Sequence, residues 1–463
     1  MMMVSTFISL LQKGWKNTFA RRVSCQRAIE QATATNCIFG GRMLSRIICA
    51  VGRHHQDWSA DYKLFSRSPW NEDTLFDPVI DGYLERFPEG PLTMPLDDTV
   101  LKKTGQKIES ARWLRDPMSP PFQVNLIRGL RFVQSTLTFP LYKEGNHSAR
   151  SFPIRFREAP PLKKPGKRAS EEERQTYREA KKQHTLSLKA LQVIRSVRAS
   201  LDMKGAGDRE LLTVVDGSYC NQTMFRAPLD RVKLVARCRK DACLCFPAFS
   251  GSRRKYAEET FTPEEVRKDD SIPWKKAKVY YGGRWREVRY KEVKNVLWRR
   301  GSLTRPLRLI VIAPQPYRPS PLSKTLYRDP AYLLCTDLKS KAEVLIQAFM
   351  DRWQIECNHR DEKEIMGVGQ AQVRSPKSVA RQPVFAVAAY SILMLAGLLE
   401  FGHERTDDYL PLPKWRKKNT KRASILDLLA VMRKEINETS DSDGEHSKIC
   451  KNIAKYSPLY AYT

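Results

Sequence analysis

The sequence predicts a mixed α/β (α+β) chain, with strands and helices gathered around a mixed sheet and helical segments at both ends. Three observations predict it. Short β-branched apolar runs punctuate residues 92–335, a helix-spaced segment follows from Lys341 to Met366, and 41% of the residues are hydrophobic.

Taken in order, residues 1–85 read as helical, with apolar spacing from Phe7 to Leu11 and from Met43 to Val51, then Trp58, Phe65, Trp70 and Phe76. Leu92–Leu96, Val124–Leu130 and Gln134–Leu141 read as strands separated by polar turns. Residues 158–187, with Pro160-Pro161 and the basic run 163–168, form a surface excursion. Leu211–Val215 is a β-branched fourth strand ending at Asp216-Gly217, and Val232–Ala236 a fifth. From 246 to 333 the chain reads as a β-rich insertion with Gly282-Gly283 as a turn, then Leu307–Ile312 and Tyr332–Cys335. A long helix, Lys341 to Met366, stops at Gly367. The apolar run 384–399 is 16 residues, below the ~20 needed to cross a bilayer, and reads as a core helix, so no membrane association is expected. The expected domains are therefore 1–85, 86–245 with 334–400 as its second part, 246–333 within it, and a basic helical tail 401–463.

At 463 residues the chain is long enough for about three domains. Its net charge of +30 favours a polyanionic partner, nucleic acid first and an anionic membrane second. The ten cysteines are spread out; Cys238, Cys243 and Cys245 fit no C-x2-C zinc spacing, and reduced thiols in a cytosol are expected. Val4–Leu11 is too short and lacks a basic lead, so no signal peptide is expected. His54-His55 has no companion at ligand spacing.

Asp97 and Asp216 each stand where a short apolar run ends, a position that also suits turn and cap chemistry. On the helix after 341, Phe349, Arg352, Glu356 and Lys363 share a stripe about 60° wide, so one carboxylate is flanked by two cations. Spacing alone also admits a solvated face with Arg352–Glu356 and Glu356–Arg360 pairs.

The string Phe349-x2-Arg352-x3-Glu356-x6-Lys363 resembles the Y-x2-R-x3-E-x6-K signature of DDE transposases from bacterial insertion sequences. LDDTVLKKTG at 96–105 resembles the first-aspartate motif of their D-D-T branch and VVDGSYCN at 214–221 the second; the likeness runs from about 40 to 430. Two departures stand out: phenylalanine replaces the signature tyrosine, and Pro95 removes a ladder donor just before Asp97. Asp97 and Asp98 compete as the first acid, with D-x-T favouring Asp97; Asp337 in CTDL leaves no room for the insertion before Glu356.

The resemblance implies an RNase H-like sheet on which Asp97, Asp216 and Glu356 are catalytic and hold two Mg²⁺ ions, with Mn²⁺ as a substitute. Oxygen donors suit Mg²⁺, and a metal pair serves both the attacking and the leaving oxygen of a phosphodiester. It implies a transposase that cleaves transposon ends and joins them to target DNA, in relatives commonly through hairpin ends, working as a homodimer on double-stranded DNA in a bacterial cytoplasm, at the nucleoid. Arg352, Lys363 and Lys103 are expected at phosphates. Residues 275–300 carry ten Lys or Arg against two Glu, interleaved with rings; Trp298 resembles the base-stacking tryptophan, with Arg299 and Arg300 beside it. The basic runs 163–168 and 414–422 suit backbone contacts, and terminal-repeat recognition is expected in 1–85. Two other readings remain at this point: a decayed, transposase-derived DNA-binding protein, and a basic RNA-binding protein.

Overall fold

The computed structural model describes residues 2–456 except 117–118, 121, 321, 416–420 and 439–444. The middle of the basic run 414–422 and most of the acidic segment near 439–446 thus fall outside the described residues.

Five helices open the chain: α1 (Met3–Trp15), α2 (Arg22–Cys37), α3 (Leu44–Ala50), α4 (Ser59–Ser66) and α5 (Asp77–Arg86). Four strands follow, β1 (Leu92–Lys102), β2 (Arg112–Arg115), β3 (Leu126–Phe139) and β4 (Arg150–Glu158). Next come α6 (Glu171–Gln183), α7 (Leu186–Met203), β5 (Leu211–Val215), α8 (Gln222–Arg226) and β6 (Val232–Arg237). The β-rich stretch comprises β7 (Leu244–Pro247), β8 (Tyr256–Phe261), α9 (Pro263–Lys268), β9 (Lys275–Tyr281), β10 (Arg284–Val296), β11 (Leu307–Ile312), β12 (Pro316–Tyr317), β13 (Leu326–Tyr327) and β14 (Ala331–Cys335). Helices α10 (Ala342–Asp351), α11 (Trp353–Arg360), α12 (Pro376–Phe401), α13 (Ile425–Glu438) and α14 (Glu445–Tyr456) complete it.

Ten strands make one mixed sheet. β1 runs antiparallel to β3 and parallel to β5, β5 is parallel to β6, and β4 pairs with the far edge of β3. This β4-β3-β1-β5-β6 order is an RNase H-like core. β5 reads LLTVV and is buried on both faces, as a central parallel strand must be. Beyond β6 the sheet continues antiparallel through β14, β11, β10 and β9, so the 246–333 stretch widens the main sheet. Among the described residues, β7–β8 and β12–β13 form two further, two-stranded ribbons. The β9–β10 hairpin turns at Gly282-Gly283, both with positive φ (63° and 78°), as a tight hairpin with right-handed strands requires.

Several expectations change. Val124–Leu130 and Gln134–Leu141 merge into the single strand β3, because Arg131-Phe132-Val133 supplies no turn residue and keeps the strand period. β1 runs on through Asp97 and Asp98 to Lys102, since β3 pairs with it from Leu96 onward. Pro95 sits one residue before that ladder starts. The Leu92 N–H points to β5, bonding the Glu210 carbonyl, so by alternation the missing N–H of Pro95 faces the edge not yet paired. The excursion 158–187 is confirmed in α6, which buries no residue and is held by a Ser170–Glu173 capping box.

The run 384–399 extends to a 26-residue helix, α12, long and apolar enough by composition to cross a membrane. Twenty of its residues are buried inside the protein. Being apolar all round, it is the axis of the larger core. Trp15 of α1 packs on Phe385 of α12 with ring centroids 5.2 Å apart, and α1, α12, α7, β3 and β4 share one continuous apolar cluster. The N-terminal helices are thus walls of the same core. A second cluster on the other sheet face joins Leu212, Val214 and Val235 to Leu345 and Ile346 of α10.

Candidate active site: an acidic cleft beside the glutamate helix

Strand pleat decides where the first two acids point. Leu92, Met94 and Leu96 enter the larger core, so Asp98 shares their face and Asp97 the face of α10. Asp97 meets Arg352 (Nη1 to Oδ2 3.6 Å) and accepts the Asp98 backbone N–H at 2.9 Å. Asp98 accepts the Tyr219 hydroxyl at 3.1 Å and lies 3.5 Å from the Arg131 guanidinium. Asp216 follows β5 with extended backbone and opens the turn Gly217–Tyr219, which carries Tyr219 back to Asp98.

Glu356 lies one turn after Arg352 and accepts from it at 2.8 Å. The helix expected from 341 to 366 breaks at Arg352, where Ile355 N–H bonds the Arg352 carbonyl at 3.0 Å in a tight i−3 turn. It then widens over Asp361–Ile365 into a π-helical turn closed by Met366 N–H to Asp361 O at 2.9 Å. That turn rotates Glu362 inward, where its carboxyl is 1% exposed and accepts from Gln134 Nε2 at 2.7 Å. Gln134 stands opposite Asp97 in the β1–β3 register, so Glu362 sits beneath the site.

Asp97, Asp98, Asp216, Glu356 and Lys363 all line one cleft of about 1550 Å³. Burial pushes the Asp97 carboxyl up to about 7, opposed by Arg352 and aided by the charges of Asp98 and Asp216. Burial also raises Asp98, opposed by Arg131 and the Tyr219 hydrogen bond and aided by Asp216. Burial is thus the larger influence on both carboxyls, and the charges of the neighbouring acids the smaller. Among the described residues no three His, Cys, Asp or Glu groups stand close enough to hold a metal ion. The three predicted acids line one cleft, and the Arg352 guanidinium pairs with two of them, Asp97 and Glu356. The donor set still fits a hard divalent cation: all oxygen, mutually repelling, and open to solvent on one side.

Residues 42–305 match the family described as DDE superfamily endonuclease. The chain belongs to this family. The match covers more than half of the chain and contains Asp97 and Asp216, ending before Glu356. No curated protein matches the chain in sequence. DNA is the family's substrate and divalent metal its general requirement.

The other predicted residues of this DDE endonuclease are placed differently. Lys103 lines the cleft, but its ammonium bonds the carbonyls of Gly369 and, at 3.3 Å, Ala371, fastening the cleft wall. Trp298 is not among the residues lining the acidic cleft; its ring packs edge-on to Phe225, centroids 5.6 Å apart. A Cβ at Gly301 would come within 1.8 Å of that indole, so glycine is required there. Arg299 donates to the Ala257 carbonyl and stacks on Tyr256, whereas Arg300 offers its carbonyl to Arg226 at 2.8 Å. Phe349 packs against the smaller core. Asp337 caps a turn, accepting from Lys339 and Ser340 N–H at 2.8 and 3.0 Å, which explains its misleading context. Sequence reading missed Tyr219, Arg131 and Glu362. Tyr219 was within the quoted VVDGSYCN motif, but nothing local signals a π turn at Glu362.

The inward carboxyl makes a test. Burial lifts Glu362 from an ordinary 4.5 to about 8, so between those values the native group holds a proton that the unfolded chain releases. Its contribution is complete below the lower value and is lost as pH rises through about 8. Glu362→Gln, neutral throughout, is expected to gain on wild type in melting temperature as pH goes from acidic to alkaline; a pH-independent difference refutes the protonated carboxyl.

Proposed function

We propose that this DDE endonuclease is a cut-and-paste DNA transposase that cleaves transposon ends and joins them to target DNA. One observation carries the reading: Asp97 and Glu356, distant in sequence, share Arg352 at a cleft also lined by Asp98 and Asp216. In this reading Asp97, Asp216 and Glu356 would hold two Mg²⁺ ions, or Mn²⁺ in their place, with Asp98 kept by Tyr219 and Arg131 as a supporting acid. Bound divalent metal supplies an activated hydroxyl and a stabilised leaving oxygen.

The chain's own residues prepare that chemistry. Arg352 keeps the Asp97 and Glu356 carboxylates from repelling one another and is a cation in reach of a phosphate at the mouth of the cleft. Lys363 on the cleft wall offers a second cation to the backbone. The Asp97 proton must leave before its oxygens can serve as ligands, so binding strengthens as pH rises through about 7. Trp298, at rest against Phe225, is the ring we assign to a displaced base at a hairpin end, with Arg299 and Arg300 beside it. Two ends handled together call for a homodimer on the DNA, in a bacterial cytoplasm at the nucleoid.

The test is joining. Full-length protein incubated with labelled terminal-repeat duplex, a supercoiled plasmid and Mg²⁺ is expected to yield plasmid-linked label, and a hairpin species on a denaturing gel. Nicking without joined product rejects transposition in favour of a plain nuclease. Sequence-specific binding without any cleavage favours the decayed DNA-binding protein, a reading kept open by the Phe349 replacement.

A further inference from the structure

A second groove, of about 1270 Å³, lies on the other side of Arg352 from the carboxylates. Its walls are the β9–β10 hairpin tip, the β12–β13 ribbon and the end of α10. Its charge is almost entirely arginine: Arg237, Arg284, Arg286, Arg318 and Arg328 line it, and among the described residues none of the five is in an ion pair with a carboxylate. The carboxylates lining it are Asp329 and the buried Asp351, which is engaged by Gln347 and Tyr142 and lifted by burial to about 7. Guanidinium planes alternate with rings. Arg328 lies over both Tyr281 (5.8 Å) and Tyr317 (5.4 Å), and Arg286 over Tyr281 at 5.9 Å.

Two of the rings look outward, Tyr317 at 40% and Tyr327 at 67% exposure, on a ribbon that belongs to no core. Fanned arginines without acidic partners match phosphate geometry, because each offers a planar fork of donors. Exposed rings between them match bases only when those bases are unpaired, since stacking in a duplex already covers both faces. Trp353, 57% exposed, lines both clefts, so the groove and the acidic cleft form one continuous surface.

We propose that this groove holds an unpaired DNA strand running to or from the acidic cleft, its phosphates on the arginines and its bases on Tyr317 and Tyr327. The inference rests on the reading of the acidic cleft as the place where DNA is cut.

The experiment measures fluorescence anisotropy with full-length protein in EDTA, using a labelled single strand of about 15 nucleotides and a blunt duplex of the same sequence. Tyr317→Ala/Tyr327→Ala is expected to weaken single-strand binding roughly 10-fold or more while changing duplex binding less than about twofold. Arg318→Gln/Arg328→Gln is expected to lower the salt slope for the single strand by about 1. All four side chains are exposed, so unchanged melting temperatures certify folding. Equal losses on both probes, or no loss on either, overturn the proposal. Nicking by wild type is measured in parallel with Mg²⁺ or Mn²⁺. Selective loss of single-strand binding without nicking upholds the groove and removes the reading of the cleft; nicking with unchanged binding in the variants does the reverse.

Discussion

Glu356→Gln is expected to lower metal-dependent DNA cleavage by about 10²–10³-fold while leaving DNA binding and melting temperature near those of wild type. The substitution keeps shape and removes one negative charge. The ion pair it breaks, Arg352–Glu356, has a carboxylate 33% exposed, so its loss costs well under ~1 kcal/mol of stability once solvent screening is counted. Arg352 remains 3.6 Å from Asp97, and the glutamine keeps an amide oxygen that can accept from its guanidinium. The effect therefore falls on chemistry. A gel-based nicking assay with Mg²⁺ and with Mn²⁺ checks it; equal cleavage by both proteins removes Glu356 from the reaction. Lys363 and Asp98, still lining the cleft, cannot replace a lost carboxylate on the glutamate helix.

Trp15→Ala is expected to destabilise the protein by about 3–5 kcal/mol. Trp15 is fully buried, its ring meets Phe385 at 5.2 Å and Phe19 at 5.9 Å, and its Nε1 donates to the Leu75 carbonyl at 3.0 Å. Truncation opens a cavity against α12 and leaves that carbonyl without its donor, two costs that add. Urea unfolding followed by both fluorescence and circular dichroism measures it. Because α1 and β4 share the core built on α12, the whole transition should move as one, including the signal of the sheet. An early transition confined to the N-terminal helices, with the sheet unaffected, refutes a shared core and restores a separate N-terminal domain.

Much of the site was legible because local chemistry is repeated locally. Leu211–Val215 read as a strand from its β-branched residues, so the position of Asp216 at its mouth followed. The four-residue spacing of Arg352 and Glu356 fixes their ion pair whether or not the helix runs straight, and it survives the break at Arg352. Asp97 and Asp98 were a harder case. Adjacent residues in a strand face opposite sides, but which side is which depends on the partners of β1, and those come from β3, β5 and α10. Lys103 shows the converse. Its residue type suited DNA, yet the loop at 369–371 claims the ammonium.

From sequence alone came the class of fold and the basic character, because periodicity, residue type and net charge are properties of the chain, while the choice of three acids came from the family resemblance. Tertiary packing decided the rest. It ran the 246–333 strands into the main sheet, placed Arg352 between Asp97 and Glu356, turned Glu362 inward and gathered arginines along one groove. Each of these depends on groups more than a turn or a hairpin apart, which meet only when the sheet edges and helix ends find their partners.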